Sequence, residues 1–457
     1  MTKIMLSIVS TLSGSKQALI LISLMVVLTI VDSQFINIFY GTDLGTPGNL
    51  HLLLFASFVI VASIINTILL LFTKRNDIYS TTSRPVMFRV AYIGTSIVQY
   101  TISLVLFIMI SEMLIFHEYN KIFSLLVVYL SHFWSAFILG ILSFTFIQWF
   151  KLATSFSILI YGVVFSVIVF LILITVPLLT QQFTNQSQLI YPRNYTSLIA
   201  TVIIPSRDIA FIYGLGGYVL PLMIISSWIL TVLLLKPYAN RIGKKRFWLI
   251  VGIPLLYQLF SFIVRDSNLV TDPTLVEIIY SQQFQVIFGS SYQVSGLFFA
   301  IAFLIIGRKL KRKGLKNYLI ICSIGIVSLF SSMQPGMPFY AAYPPFGLVT
   351  LLFLGLSSYM LLVGMFGCAT YVSRDSELRR EIYKGLEVDS DVLKKIGLAE
   401  TQREIEKRVL SLADKIKLSD EMRNLTDIDP DKEDVKLMIE EVLNEIQKGS
   451  HIKRGEK

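Results

Sequence analysis

Two ionisable residues stand inside apolar runs, and chemistry would begin with them. Asp32 lies in TIVDSQFINIF (29–39) and His132 in VVYLSHFWSAF (127–137). If both runs cross a bilayer as helices, a rise of about 1.5 Å per residue puts Asp32 roughly 6–8 Å outward of its span's centre and His132 about 5 Å outward of its own. An ionised, unpaired carboxylate at mid-span costs on the order of 2–3 kcal/mol, and less off-centre. A carboxylate and an imidazole at one depth can satisfy each other and titrate as a unit, which would make a proton-sensing or proton-coupling element. The competing reading gives each its own partner: Ser33 or water at the outer interface for Asp32, and a backbone carbonyl for His132. Equal depth does not decide between these readings, because it does not bring the first and fourth runs together.

The remaining candidates are weaker. Asp43, His51, Glu112, His117 and Glu118 are ligand types suited to copper or zinc, but only His117 and Glu118 are close in sequence. Outer loops carry such residues routinely, so no metal and no cofactor is expected. Gly214, Gly216, Gly217 and Pro221 in YGLGGYVLP resemble a phosphate loop only superficially, because no strand precedes them. They would weaken a helix, and broken helices form the substrate sites of many transporters. Glycines in membrane helices also simply permit close packing, the role expected of Gly355, Gly364 and Gly367. No Walker loop, HExxH or GxSxG is present, and the tail's one histidine, His451, is terminal. Cys322 and Cys368 sit in apolar runs as small buried hydrophobes do. The chain reads as non-enzymatic.

The elements that would hold these residues follow from composition. Of 457 residues, 54% are hydrophobic and only 15% charged, against about 45–50% and 25% in soluble domains. Ten runs reach the roughly 20 apolar residues a span needs: 17–38, 50–73, 90–111, 123–148, 154–179, 210–235, 247–264, 284–306, 317–333 and 346–371. Residues 1–373 hold 22 Lys/Arg and 9 Asp/Glu, and eighteen of those bases fall on one set of connections against four on the other. Positive charge marks the cytoplasmic side, so the expectation is an all-α polytopic bundle of about ten spans with both termini inside. The basic excess lies between oily runs, which sets orientation and argues against nucleic acid as a partner; the lipid bilayer is the expected one. Asn66, Gln99, Gln148 and Gln258 read as interhelical hydrogen-bonding groups.

Two stretches interrupt this pattern. SMQPGMPFYAAYPPFG (332–347) carries four prolines, which no continuous helix accommodates. It is either an exposed aromatic-proline loop at the outer face or a re-entrant segment whose backbone is satisfied by protein or water. Residues 374–457 form a separate, charged tail with 18 Lys/Arg and 21 Asp/Glu. In it Ile405, Val409, Leu412 and Ile416 make an apolar stripe at helical spacing, suited to a helical partner or to internal folding. Val435, Ile439, Val442 and Ile446 repeat the pattern; fewer than three heptads make no established coiled coil. Asn185-Gln-Ser and Asn194-Tyr-Thr are glycosylation-type triplets in a polar outer loop.

PPFGLVTLLFLGLSSYMLLVG (344–364) followed by SRDSELRREIYK (373–384) resembles a set of uncharacterised multi-span membrane proteins of ammonia-oxidising archaea. The resemblance implies an archaeal cytoplasmic membrane and a helical tail, and brings no activity or binding residues. Two functions then compete. One is a membrane sensor or scaffold whose tail engages a cytoplasmic partner. The other is a secondary transporter of a small solute, with Asp32, His132 and the glycine break near its pathway.

Overall fold

The computed structural model describes residues 20, 22–32, 49–77, 86–116, 119–185, 222, 224–236, 239, 243–265, 291–309, 313–333, 344–374, 395–406 and 409. They are helical almost throughout, with no strand among them. In chain order the helices are α1 (Ile22–Asp32), α2 (Asn49–Asp77), α3 (Val86–Phe116), α4 (Lys121–Ala153) and α5 (Phe156–Asn185). There follow α6 (Ile224–Leu235), α7 (Lys244–Arg265), α8 (Ser291–Lys309), α9 (Lys313–Ser332) and α10 (Leu352–Arg374). A last helix, α11, runs over 395–406. Each expected apolar run thus contains a helix. Six helices, namely α2–α5, α9 and α10 with its leading turn, are long and apolar enough to cross a membrane.

Local chemistry sets the helix boundaries. Asn120 caps α4: its side chain accepts the Ile122 N–H at 3.0 Å, while its own N–H donates to Glu112 Oε2 at 3.0 Å. Those two bonds close the α3–α4 connection. At the other end of α4, Thr154 takes a left-handed φ of 43° and donates its N–H to Phe150 O at 2.8 Å, so α5 starts directly and lies along α4. The seam between them is polar at one height, where Ser143 Oγ donates to Gly162 O at 2.9 Å and meets Ser166 Oγ at 2.7 Å. Lys74 at the end of α2 sits 5.0 Å over the Tyr92 ring of α3.

The organising element is α10. From Pro344 to Thr370 every residue is buried, and the helix packs on α2, α3, α4 and α9. A helix that is apolar all round is expected to be enclosed on all sides. Two glycines bring α9 close: a Cβ at Gly364 would collide with Cys322 Sγ, and one at Gly367 with the Tyr318 ring. The outer helices instead present apolar stripes outward. On α3, Val90, Ile93, Ile97, Tyr100, Leu104 and Ile108 recur at 3–4 spacing and are all exposed, the face a lipid-contacting helix offers.

Candidate functional site

The two ends of α10 each meet a buried carboxylate. At its start the chain does not run straight in. Pro344 and Pro345 lead to Gly347, whose φ of +94° is a left-handed conformation that glycine adopts without steric cost. A 3-10 turn, Val349–Leu351, then passes into the helix. Asp32, the last residue of α1, is 1% exposed and lies against this turn. The Thr350 N–H donates to Asp32 Oδ2 at 3.3 Å, and the Gly347 amide is also hydrogen-bonded to the carboxylate. The carboxylate therefore caps the start of α10, where free N–H groups and the helix dipole favour negative charge. Its other oxygen, Oδ1, has no hydrogen-bond partner.

The surroundings hold the turn in place. Ser332 at the end of α9 donates to the Ser328 and Thr350 carbonyls at 2.7 and 2.9 Å, and Thr350 Oγ1 donates to Gly347 O at 2.7 Å. Phe346 packs edge-on against Phe55 at 5.6 Å and Phe58 at 6.1 Å, both on α2. Of the proline-rich stretch, 334–343 lies outside the described residues. Pro344–Gly347 is buried, which corrects the exposed-loop expectation for that part. Within it the Phe346 N–H donates to Pro344 O at 2.8 Å and the Leu348 N–H to Pro345 O at 3.3 Å.

His132 does not join Asp32. Its Nδ1 lies 2.8 Å from Val128 O, one turn back on α4, and 3.2 Å from Ser131 Oγ, so the backbone-carbonyl reading is the one the structure contains. The pairing of Asp32 with His132 is absent: amides at the 3-10 turn bond Asp32, and the backbone of its own helix bonds His132. Midway along the bundle is a polar belt. Asn66 Nδ2 donates to Gln99 Oε1 at 2.6 Å, Trp134 Nε1 donates to Thr95 Oγ1 at 3.0 Å, and Ser135 meets Ser358 of α10. These bonds tie α2 to α3, α3 to α4 and α4 to α10.

At the C-terminal end of α10, sequence reasoning missed the contact altogether. Glu400 of α11 is 5% exposed, and its Oε2 accepts the Trp149 Nε1–H of α4 at 2.7 Å. Arg403, one turn on, lies 3.4 Å from the same oxygen and 5.9 Å over the Phe366 ring of α10. Trp149 stacks on Phe366 at 5.7 Å and meets Phe146 edge-on at 5.1 Å. Ile396 and Ala399 are buried on the same face, and a Cβ at Gly397 would collide with Val372. A buried indole N–H requires an acceptor. That requirement, read from Trp149 in an apolar run, was the signal available in the sequence.

No protein-family model, curated protein or solved structure matches the chain. The function therefore has to be argued from these two ends. At 100° per residue Ile405 lies about 180° round α11 from Ile396 and about 140° from Glu400, so the expected docking stripe is not the face that packs here. Ile405 and Val409 are half-buried; Leu412 and Ile416 lie outside the described residues, as do Gly214, Gly216, Gly217 and Pro221. Among the described residues no three His, Cys, Asp or Glu side chains converge as metal ligands.

Proposed function

We propose that the chain is a non-enzymatic sensor or scaffold of the cytoplasmic membrane, archaeal by the resemblance of its last span. It crosses ten times with both termini in the cytoplasm, residues 1–373 in the membrane and 374–457 as a helical tail. The charge asymmetry of its connections and the helix found in each apolar run support this layout. One observation carries the functional reading: Glu400 of the tail is buried against Trp149 and Phe366 at the inner end of α10, the enclosed helix whose outer end Asp32 caps. A rod sheathed on all sides can move only by repacking its neighbours, so a displacement at the Asp32 end alters the Glu400 seat. The tail then presents its other face, with Ile405 and Val409, to a cytoplasmic partner.

A second reading, a secondary transporter of a small solute, rests on the unpartnered, buried oxygen of Asp32, since intramembrane carboxylates commonly mark ion or proton pathways. One comparison separates the two. Hydrogen exchange of 395–406 is measured in lipid nanodiscs for the native chain and for Asp32→Asn. The sensor reading requires altered protection of the tail helix in the variant. Unchanged protection, together with loss of gradient-driven solute uptake in vesicles, supports transport instead.

A further inference from the structure

Cys322 and Cys368 are the chain's two cysteines, and the fold brings them together. Cys322 stands near the middle of the apolar stretch of α9, Gly314–Ser332. Cys368 lies on α10, whose glycines draw the two helices close. Cys322 Sγ occupies space that a Cβ at Gly364, one turn before Cys368, would need. The Cys322 thiol is hydrogen-bonded to the Cys368 side chain. Both are free thiols, 0% and 1% exposed. A buried cysteine by itself is an ordinary small apolar residue. Two thiols hydrogen-bonded across a helix interface are one two-electron step from a disulfide.

The surroundings select among the chemistries open to a thiol pair. Zinc takes four ligands, and among the described residues no third His, Cys, Asp or Glu joins the pair. A soft monovalent cation held by both thiolates would leave a net negative charge in hydrocarbon, at a desolvation cost. The dithiol and the disulfide are both uncharged, so oxidation changes no buried charge. Burial keeps water-borne oxidants out, because thiol exchange depends on access. An oxidant for this pair has to dissolve in the bilayer and take protons together with electrons. Quinones do both. We propose that Cys322 and Cys368 are a redox pair oxidised by a membrane-soluble quinone, with the dithiol as its reduced state. In the step both S–H bonds break and one S–S bond forms, while two electrons and two protons pass to the quinone, which leaves as the quinol. The bond joins α9 to α10 two residues from Phe366, whose ring bears Trp149 and Arg403. The pair itself rests on neither functional reading.

The test uses the full chain in lipid nanodiscs, reduced first and then exposed to duroquinone, whose fully methylated ring disfavours sulfur adducts. Samples are quenched in acid, unfolded and labelled with N-ethylmaleimide. Because the chain has two cysteines, the expected result is two labels before quinone and none after. A peptide pair joined through Cys322 and Cys368 should appear, and dithiothreitol should separate it. Oxidised glutathione, confined to water, should leave both labels in place. Cys322→Ala should keep its single label in quinone. Two labels on the native chain after quinone overturn the proposal, as does closure by glutathione as fast as by quinone, or a disulfide between chains. Amide exchange over 395–406 answers the separate question of the sensor: a bond that forms without altering it upholds the pair and counts against signalling along α10.

Discussion

Trp149→Phe isolates the hydrogen bond that seats the tail. Phenylalanine retains most of the ring that stacks on Phe366 and meets Phe146, so the substitution removes chiefly the N–H that Glu400 accepts at 2.7 Å. A hydrogen bond to a charged group contributes about 1.5–3 kcal/mol, and its loss leaves the buried Glu400 without its indole donor while Arg403 stays 3.4 Å away. At about 1.4 kcal/mol per tenfold, the seated fraction should fall relative to the released one by roughly 10–150-fold. Amide exchange across 395–406, followed by mass spectrometry in nanodiscs, reads that ratio as lost protection, while α4 and α10 should keep theirs. Glu400→Gln can still accept the indole proton, but without charge, so its loss should be smaller. Protection in Trp149→Phe equal to the native chain would show that the buried Ile396 and Ala399 hold the helix alone, and the carboxylate seat would lose its place in the argument.

Other outcomes follow from the packing. Gly364→Ala places a methyl group against Cys322 and Tyr318 and should destabilise the bundle by about 1–3 kcal/mol, seen as a lower Tm. Gly140→Ala, which meets nothing within 4 Å, should be neutral or slightly stabilising. Phe346→Ala empties the space against Phe55 and Phe58 and should cost about 3–5 kcal/mol, with faster exchange at the start of α10. Asn66→Ala strands Gln99 and should cost about 0.6–1.7 kcal/mol, whereas Asn66→Leu with Gln99→Leu should recover most of it; a double-mutant cycle by thermal unfolding checks this.

Apolar periodicity made the helices legible, because a run long enough to span is helical for a reason internal to that run: its backbone must be satisfied without water. Pairings between runs were not legible. Asp32 and His132 share a depth, yet depth is one coordinate of three, and the partners of Asp32 are backbone amides more than 300 residues on. Backbone donors carry no side-chain signature in sequence. The seat of the tail was hidden for a related reason. The apolar stripe of Ile405, Val409, Leu412 and Ile416 drew attention as a partner face, while the face that packs within the chain contains Glu400, which composition alone assigns to water. Its burial depends on an indole and a guanidinium brought from elsewhere.

The account rests on a tail helix seated on the inner end of α10 from the cytoplasmic side. Both parts can be read in one experiment on a chain with a protease site inserted between 375 and 394. Sealed vesicles of each orientation are digested, and amide exchange over 395–406 is followed in the uncut chain. Cleavage should occur only in inside-out vesicles, and 395–406 should exchange slowly. Cleavage in right-side-out vesicles, or exchange of 395–406 as fast as in an unfolded peptide, would contradict it.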